Sequence, residues 1–591
     1  MSLSIALGSA VSSLMVIEQE MAVASANISN ATTADYTEKT VTVAATDAGG
    51  VGTGVTALDV TSTVDKYLLS QIVAANSDSS AATTASDYYD SLQQLFGDVS
   101  TSSTGTSGSD IASDFSTLAT DLTTLAASPG TASDKTAVVG DLTQLADDLR
   151  TASSGVQELR QKASGEISTT VSDINDQLQS IETLNKAIVA GKAAGQSTAD
   201  LEDQRVTALK SLSADMGVNY YVDGTGRMQI YSQSGQPLLV GDEVNTVSYT
   251  APSNVSSSTT YPDGGIGAIT VCGRDITGSV GSGTLAALVA QRDSVLPGVE
   301  SELDTLASTL STAFNTISNQ GSASTPPQTL TGSGDFSGSD AVSVAGGTTV
   351  RVAVTDSTGD IVSVADVSLD GDGSVDDIVS SLNAAFTADG VGATASLDSS
   401  GHLVVQATSS SDGIAVSTTA GTVGGTDFSS YFGLNDVLVD GGSAATIRIK
   451  ASLATSASTL PTGTLTGSAA GDTAVASGSA TIVSNLADAL TASRSFAASG
   501  ALGAATTTLG GYASDIISDV STRYAGAEDT ATTKSSALTS LEDSFSNESG
   551  VNTDSETAKL TALQDMYQAS AQVVSTVKTM FQTLITVMES A

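Results

Sequence analysis

The chain has 591 residues and is strongly acidic, with 64 Asp and Glu against 21 Lys and Arg for a formal net charge of −43. Such a charge repels phosphate backbones, which argues against a nucleic-acid partner. With one Cys and one His, Cys272 and His402, the chain cannot build an internal disulfide or a Cys/His zinc site. No run approaches the roughly 18 unbroken apolar residues of a membrane span, and the first residues lack the features of a cleaved signal peptide.

The first predicted element is an N-terminal helix with a heptad repeat of apolar residues. Its apolar positions alternate steps of four and three residues, the period of a coiled coil. They are Leu3, Leu7, Ala10, Leu14, Ile17, Met21, Ala24 and Ile28. The run Gly50–Val55 has the glycines of a phosphate loop, but strand-like residues follow it where such a motif needs a helix, so it predicts a turn.

Helical periodicity then dominates the chain up to residue 216. Helices are predicted over 64–96, 111–127, 133–191 and 200–216. The third would be about 85 Å long at 1.5 Å per residue, which favours a rod over a compact enzyme. From residue 218 the apolar period changes to two, which predicts a hairpin around Asp223-Gly224 and short strands to about residue 277, with Cys272 in a strand. Helix is predicted again from Leu285 to Ile317.

Residues 321–478 are rich in Ser, Thr and Gly and predict an inserted β region. Asp370–Val375 is similar to part of a calcium loop, but the bidentate glutamate position is Val379, so we expect an acidic turn before a small helix. His402 is expected at a hairpin edge. We do not expect it to be catalytic, because a general base would still need a nucleophile and an orienting group. We therefore predict no enzyme activity, no cofactor and no metal site.

The C-terminal segment carries a second apolar stripe. Its first row has the heptad spacing of the N-terminal helix and consists of Leu560, Leu563, Tyr567, Ser570, Val574, Val577, Phe581, Leu584 and Met588. A flanking row consists of Met566, Val573, Met580 and Val587. Together they make a stripe broader than a two-stranded seam needs, which predicts a helix that touches more than one neighbour. The alternative is that both end helices belong to the core of a globular bundle.

These patterns predict a multidomain α + β protein, with terminal coiled-coil helices and an elongated helical rod domain with inserted β-rich domains. The predicted domains are the terminal helices and assembly segment (1–60 with 551–591), the rod (61–216 with 283–320 and 482–550), a small β domain (217–282) and a β-rich insertion (321–481). Neither end helix can bury its stripe alone, so the two ends must meet. In the free chain we expect both ends to be largely disordered.

Five motifs, taken in order, resemble the hook-associated protein 1 family of bacterial flagella. Asn27–Thr37 is similar to the family's Asn-rich motif, although Ala34-Asp35 stands where the family usually has Pro-Gly. Residues 200–213, 288–307 and 431–436 resemble internal segments of the family, and 549–577 resembles its terminal signature. The family-motif residues are Asn27, Asn30, Tyr36, Gln568, Ala569 and Ser570. Residues 374–386 also resemble a small β-α-β unit of hook and filament proteins.

The resemblance implies a structural adapter at the hook–filament junction, outside the cell. It implies a ring of copies of this chain between the hook subunit below and a second hook–filament junction protein above. It also implies export as an unfolded chain, with a cytoplasmic export chaperone on the C-terminus. Two alternatives stay open: another flagellar axial subunit such as a hook, distal rod or flagellin-like protein, and an acidic surface-layer or adhesin protein.

Overall fold

The computed structural model describes residues 3–33, 35–48, 50–96 and 111–589. The chain divides into two compact units. Unit 1 comprises Met1–Tyr88, Gln161–Asp293 and Ala525–Ala591, and unit 2 comprises Tyr89–Arg160 and Ser294–Tyr524. Each unit is therefore assembled from segments far apart in sequence. The domain boundaries given above remain a prediction.

The described residues are mainly helical, with several small antiparallel sheets. The α-helices are α1 (Leu3–Asn30), α2 (Lys66–Phe96), α3 (Ile111–Ala127), α4 (Ala132–Ala193), α5 (Ala199–Asp215), α6 (Thr284–Ala290), α7 (Leu296–Ser318), α8 (Val375–Asp389), α9 (Phe428–Phe432), α10 (Ala451–Thr455), α11 (Thr481–Thr491), α12 (Leu509–Ser549) and α13 (Thr553–Glu589). Short 3₁₀ turns occupy Thr277–Ser279 and Ala457–Thr459, and a π-helical turn occupies Gln291–Val295.

The strands are short, apart from the first two. They are β1 (Lys39–Ala48), β2 (Val51–Ser62), β3 (Val218–Val222), β4 (Met228–Ser232), β5 (Pro237–Val240), β6 (Glu243–Val244), β7 (Val247–Ser248), β8 (Thr270–Val271), β9 (Arg274–Asp275), β10 (Thr329–Thr331), β11 (Thr349–Thr355), β12 (Ile361–Ser368), β13 (Ala393–Leu397), β14 (Leu403–Ala407), β15 (Gly413–Ala420), β16 (Leu438–Val439), β17 (Arg448–Ile449), β18 (Arg494–Phe496) and β19 (Ala505–Thr507). The predicted fold class, multidomain α + β with long terminal helices and inserted β structure, is confirmed.

The helix α4 follows the prediction most closely. It is unbroken over 62 residues, and its apolar stripe is buried from Val138 to Ile181, except for the half-buried Leu159. The next helix, predicted over 200–216, also agrees with the structure, since α5 ends at Asp215. Between α6 and α7 the helix widens into a π-turn. Pro297 has no N–H to donate one turn back, which disturbs the regular ladder there.

In unit 1, β1 and β2 form a two-stranded hairpin, so Gly50–Val55 contains a turn between strands as predicted. A four-stranded sheet has the order β3-β4-β5-β6, and β7-β8-β9 form a second sheet. Cys272 corrects its prediction, because it lies in the turn between β8 and β9. Its φ is +51° and that of Gly273 is +74°, the left-handed pair that a tight hairpin turn requires.

In unit 2, two three-stranded sheets, β12-β11-β15 and β10-β14-β13, share an apolar core with α8. The Ser374 side chain caps α8 by accepting a hydrogen bond from the Asp377 N–H, which fits the predicted turn before this helix. The predicted β-α-β unit is wrong in one respect, because β12 and β13 belong to different sheets. Within residues 482–550, which the sequence assigns to the helical rod, residues 494–507 are not helical, since Gly500, with φ +56°, turns them into the β18–β19 hairpin.

Candidate functional site: the terminal helix pair

The terminal helices α1 and α13 of unit 1 pack against each other in antiparallel order. Near the end of α1, the Asn27 Nδ2 donates to the Glu556 Oε2 at 3.1 Å. Earlier in α1, Glu18 accepts a hydrogen bond from the Tyr567 hydroxyl at 3.4 Å. The two ends thus meet within one chain, and the expected disorder of both ends is not what the structure shows. The physical reason is that each helix covers one face of the other, while α1 also packs on β2.

The first apolar row of α13 forms the contact face. Leu563 and Val577 are buried, at 3% and 5% exposure. The half-buried members of the row are Leu560, Tyr567, Ser570, Val574 and Phe581. On α1, Ala10, Ile17 and Ala24 of the predicted stripe are buried, and its half-buried members are Leu3, Leu7, Leu14, Met21 and Ile28. Val16, outside that stripe, is also buried, which agrees with the second neighbour of α1.

Two predicted members of the contact row lie outside it. Leu584 and Met588 are 54% and 72% exposed. In the antiparallel register set by Asn27 with Glu556 and Glu18 with Tyr567, the position opposite Leu584 falls at the very start of the chain. The described part of α1 begins at Leu3, so the last two turns of α13 extend past the described partner helix.

The flanking row of α13 is uncovered. At 100° per residue, this row together with Leu584 and Met588 falls within an arc of about 100° on the helix. We call it the outer arc, and its members are Met566, Val573, Met580, Leu584, Val587 and Met588, between 46% and 72% exposed. Such a contiguous apolar surface on one helix is typical of an interaction site. The broad stripe in the sequence thus corresponds to two faces, one covered by α1 and one exposed.

Beneath the helix pair, Asn27 organises a buried polar cluster. Asn27 is fully buried, and its Nδ2 donates to the Lys39 carbonyl at 2.9 Å as well as to Glu556. Its Oδ1 accepts hydrogen bonds from the Lys39 N–H and the Tyr36 hydroxyl, both at 3.1 Å. We call Asn27, Tyr36, Lys39, Asp203 and Glu556 the polar base. It connects α1, β1, α5 and the start of α13.

The Lys39 side chain joins this cluster to α5. Its Nζ donates to the Asp203 Oδ2 at 2.8 Å and lies 2.9 Å from the Asp200 Oδ1. Burial lowers the pKa of Lys39, but the hydrogen bonds to Asp203 and Asp200 raise this pKa by more, so it lies above its ordinary value. Thr37 also donates to Asp203, from its Oγ1 at 2.7 Å. The Asn-rich segment is therefore held on α5 by a charged lysine.

Two neighbours complete the electrostatics of the polar base. Burial raises the pKa of Tyr36, so its hydroxyl stays protonated and can donate to Asn27. Burial, followed by the negative charge of Glu556, raises the pKa of Glu38. The Glu38 N–H donates to the Ser549 carbonyl at 2.8 Å, which ties the start of β1 to the end of α12.

The family-motif residues occupy two separate places. Asn27 and Tyr36 lie in the polar base. The Asn30 Nδ2 instead donates a 3.0 Å hydrogen bond to the Ala26 carbonyl, one turn earlier in α1. Gln568 and Ala569 are exposed on α13 and Ser570 is half-buried, so these three are not brought to the polar base.

Sequence reasoning missed Lys39, Asp203 and Glu556. The family-like segment 200–213 contains Asp203, and the terminal signature 549–577 contains Glu556, but neither resemblance shows that these residues meet. Arg205, also in 200–213, donates hydrogen bonds to the Asn185 Oδ1 at 2.9 Å and the Gly226 carbonyl at 2.7 Å.

No chemical centre emerges elsewhere in the described ranges. Among those residues, no group of three or more His, Cys, Asp or Glu side chains is arranged to hold a metal ion. His402 lies at the β13–β14 hairpin, as expected, with its Nε2 2.9 Å from the Asp335 Oδ1 and its Nδ1 3.0 Å from the Asp398 Oδ2. Within the same residues, no helix is long and apolar enough to cross a membrane.

Comparisons with known proteins match both the middle and the end of the chain. Residues 101–332 match the family described as "Flagellar hook-associated protein FlgK helical domain". Over these residues the chain is similar to flagellar hook-associated proteins. Residues 542–587, which include nearly all of α13, match the family described as "Flagellar basal body rod FlgEFG protein C-terminal". The resemblance seen in the sequence motifs is thereby confirmed.

The chain is also similar to individual proteins. The flagellar hook-associated protein 1 of Escherichia coli (strain K12) is 25% identical over 319 residues, which cover 52% of this chain and 56% of that protein. That of Salmonella typhimurium is 25% identical over 321 residues, covering 53% and 56%. The chain thus spans little more than half the length of these relatives. The solved structure of the flagellar hook junction protein FlgK from Burkholderia pseudomallei is 16% identical, covers 80% of this chain and 99% of its own, and has a TM-score of 0.47.

Proposed function

We propose that this chain is a structural subunit of the bacterial flagellum, an adapter at the hook–filament junction that assembles through its paired terminal helices. The observation that carries the proposal is the outer arc of α13, an apolar face left uncovered when the first face packs on α1. Covering it with neighbouring copies would add about 25 cal/mol for each Å² of apolar surface removed from water. Assembly therefore requires only that subunits gather around a common axis.

In this proposal the polar base sets the geometry of the assembling surface. Asn27, Lys39 and Asp203 fix the chain that leaves α1 onto α5, so the helix pair is presented to its neighbours at a defined angle. The hook subunit would lie on one side of the ring and a second junction protein on the other. Before export to the outside of the cell, a cytoplasmic chaperone would cover the C-terminal helix. The proposed role is structural and requires no catalysis.

One observation favours a second candidate within the same class. The match of residues 542–587 is to a C-terminal segment of basal body rod proteins, so the terminal helices are not specific to a junction protein. This match favours the alternative that the chain is another axial subunit, of the rod, hook or filament. The match of residues 101–332 to the hook-associated helical domain favours the junction.

Electron microscopy of the bacterium that encodes this chain tests both candidates. Gold-labelled antibodies against the chain should mark one spot per flagellum, where the hook meets the filament. Label along the whole filament, or along the hook, would refute the junction assignment in favour of another axial subunit. In parallel, a strain that lacks residues 560–591 should not swim, while the strain complemented with the full chain should. Retained swimming would contradict assembly through α13.

A further inference from the structure

Most of the methionines that the structure describes are either buried or exposed. Met216 and Met228, in unit 1, are 0% and 2% exposed. Four others are 48% to 72% exposed, namely Met15, Met566, Met580 and Met588. All four lie on the terminal helices α1 and α13. The half-buried Met21 is also on α1, so within residues 3–589, as far as the structure describes them, the accessible thioethers are confined to the two helices of the proposed assembly surface.

Three of these methionines belong to the outer arc. Met566 and Met580 are fourteen residues apart on α13, which leaves them about 40° apart around the helix, and Met588 lies in its last turn. Flexible thioethers suit a surface that must adapt to a neighbour. They also carry a liability, since oxidation converts a flexible apolar side chain into a polar sulfoxide and disrupts methionine-rich interfaces.

We propose that the four exposed methionines are oxidation sites through which peroxides control assembly of the unassembled subunit. A sulfur lone pair attacks one oxygen of hydrogen peroxide, an S–O bond forms and the O–O bond breaks. The proton on the transferred oxygen passes to the departing hydroxide, which leaves as water. The sulfur loses two electrons and the peroxide is reduced. The modification makes the outer arc polar, so a neighbour that covers it must bury sulfoxides. The consequence for assembly rests on the proposed function, whereas the selectivity of oxidation does not.

Exposure also predicts when the sites react. In a single chain the sulfur atoms of the outer arc face solvent, whereas in an assembled ring the neighbouring copies would cover them. Subunits that have not yet joined the structure are therefore the sensitive form. Once assembled, the same methionines are protected by the contact that oxidation would have prevented.

The first experiment measures which methionines react. The full chain carrying Cys272→Ser, which removes the exposed thiol, is treated with hydrogen peroxide and its peptides are analysed by mass spectrometry over time. Met15, Met566, Met580 and Met588 should be oxidised at least roughly tenfold faster than Met216 and Met228, because burial withholds the sulfur from the oxidant. Equal rates, or faster oxidation of the buried pair, would overturn the assignment of these sites.

The second experiment measures the consequence. Purified chain is incubated with hooks isolated from cells that lack it, and the hooks that have bound it are counted by electron microscopy. Peroxide treatment should raise the concentration needed for binding by roughly tenfold or more, since polar sulfoxides must then be desolvated. The matched control is M15L/M566L/M580L/M588L, which keeps an apolar surface of similar volume and has no exposed thioether.

The outcomes separate the two proposals. Binding by the peroxide-treated leucine variant, together with loss of binding by the treated native chain, supports the inference. Unchanged binding of the treated native chain, or equal loss in both proteins, overturns it and leaves the proposed function standing. Failure of the untreated chain to bind hooks counts against the proposed function instead, and the peptide masses still decide whether the four sites are the oxidised ones.

Discussion

Replacing Asn27 with alanine should open the base of the terminal helix pair. The side chain is fully buried and makes four hydrogen bonds, with both backbone groups of Lys39, the Tyr36 hydroxyl and the Glu556 carboxylate. Each hydrogen bond contributes about 1 kcal/mol net, and a buried partner left unsatisfied costs about 1 to 3 kcal/mol. Because water can reach some of these partners once the side chain is gone, we expect a loss of about 3 kcal/mol. That corresponds to an equilibrium constant for local opening of the helix pair that is roughly 100-fold larger.

Hydrogen–deuterium exchange measures this locally, without requiring the whole chain to unfold in one step. Peptides that cover residues 27–39 and 549–560 should exchange roughly 100-fold faster in Asn27→Ala than in the native chain. Asn30→Ala is the matched control, because Asn30 bonds to the Ala26 carbonyl at the exposed end of the same helix. It should change the free energy of opening by less than about 0.5 kcal/mol. Equal exchange in the two variants would refute the role of Asn27 as the organiser of the polar base.

Three further predictions concern other parts of the chain. Leu563→Ala should destabilise the helix pair by about 2 to 4 kcal/mol in urea unfolding. Leu584→Ala, at an exposed position, should cost less than about 0.5 kcal/mol and yet impair swimming. The reverse pattern would contradict the assignment of the two faces. Gly54→Ala should cost about 2 kcal/mol, because Gly54 has φ +146° and a Cβ would lie 2.2 Å from the Ser12 Oγ, while Gly52→Ala, with open space around it, should cost nothing. Burial and the neighbouring Asp121 raise the pKa of Asp141 to about 6. Because this carboxyl ionises less readily in the folded state than in the unfolded chain, the free energy of unfolding falls as pH rises from about 4 to 6. Asp141→Asn should therefore stabilise unit 2 by about 1 kcal/mol above pH 6, after allowance for solvent screening, and should not stabilise it below pH 4. Urea unfolding at the two pH values measures this, and a gain in the free energy of unfolding of equal size at both would contradict it.

The sequence predicted those elements whose period is long and regular. In α4 a stripe repeated over many turns leaves little choice of structure, and nearly all the positions that the period selects are buried. The width of the α13 stripe predicts two contact faces, and the structure shows one of them, against α1. Leu584 and Met588 could not be separated from the contact row by spacing alone, because their exposure depends on where the partner helix begins.

The polar base could not be predicted from periodicity. Asn27, Lys39, Asp203 and Glu556 are distant in sequence, and each is an ordinary polar residue until the chain folds around it. Asp200 and Asp203 both belong to α5, yet Asp203 is buried and Asp200 is largely exposed. The hairpin at residues 494–507 was missed for a different reason, since Phe496 and Leu502 are its only large apolar residues and Gly500 decides its turn.

Cross-linking in intact flagella tests most directly whether the outer arc is the assembly surface. In a Cys272→Ser background, Val573→Cys places a thiol in the outer arc, and Ser575→Cys places one about 180° away from Met566 on the same helix as a control. A short bis-maleimide should join the first variant to a neighbouring subunit and leave the second as a monomer, as read from denaturing gels. Equal cross-linking of both variants, or none through position 573, would contradict assembly through the outer arc.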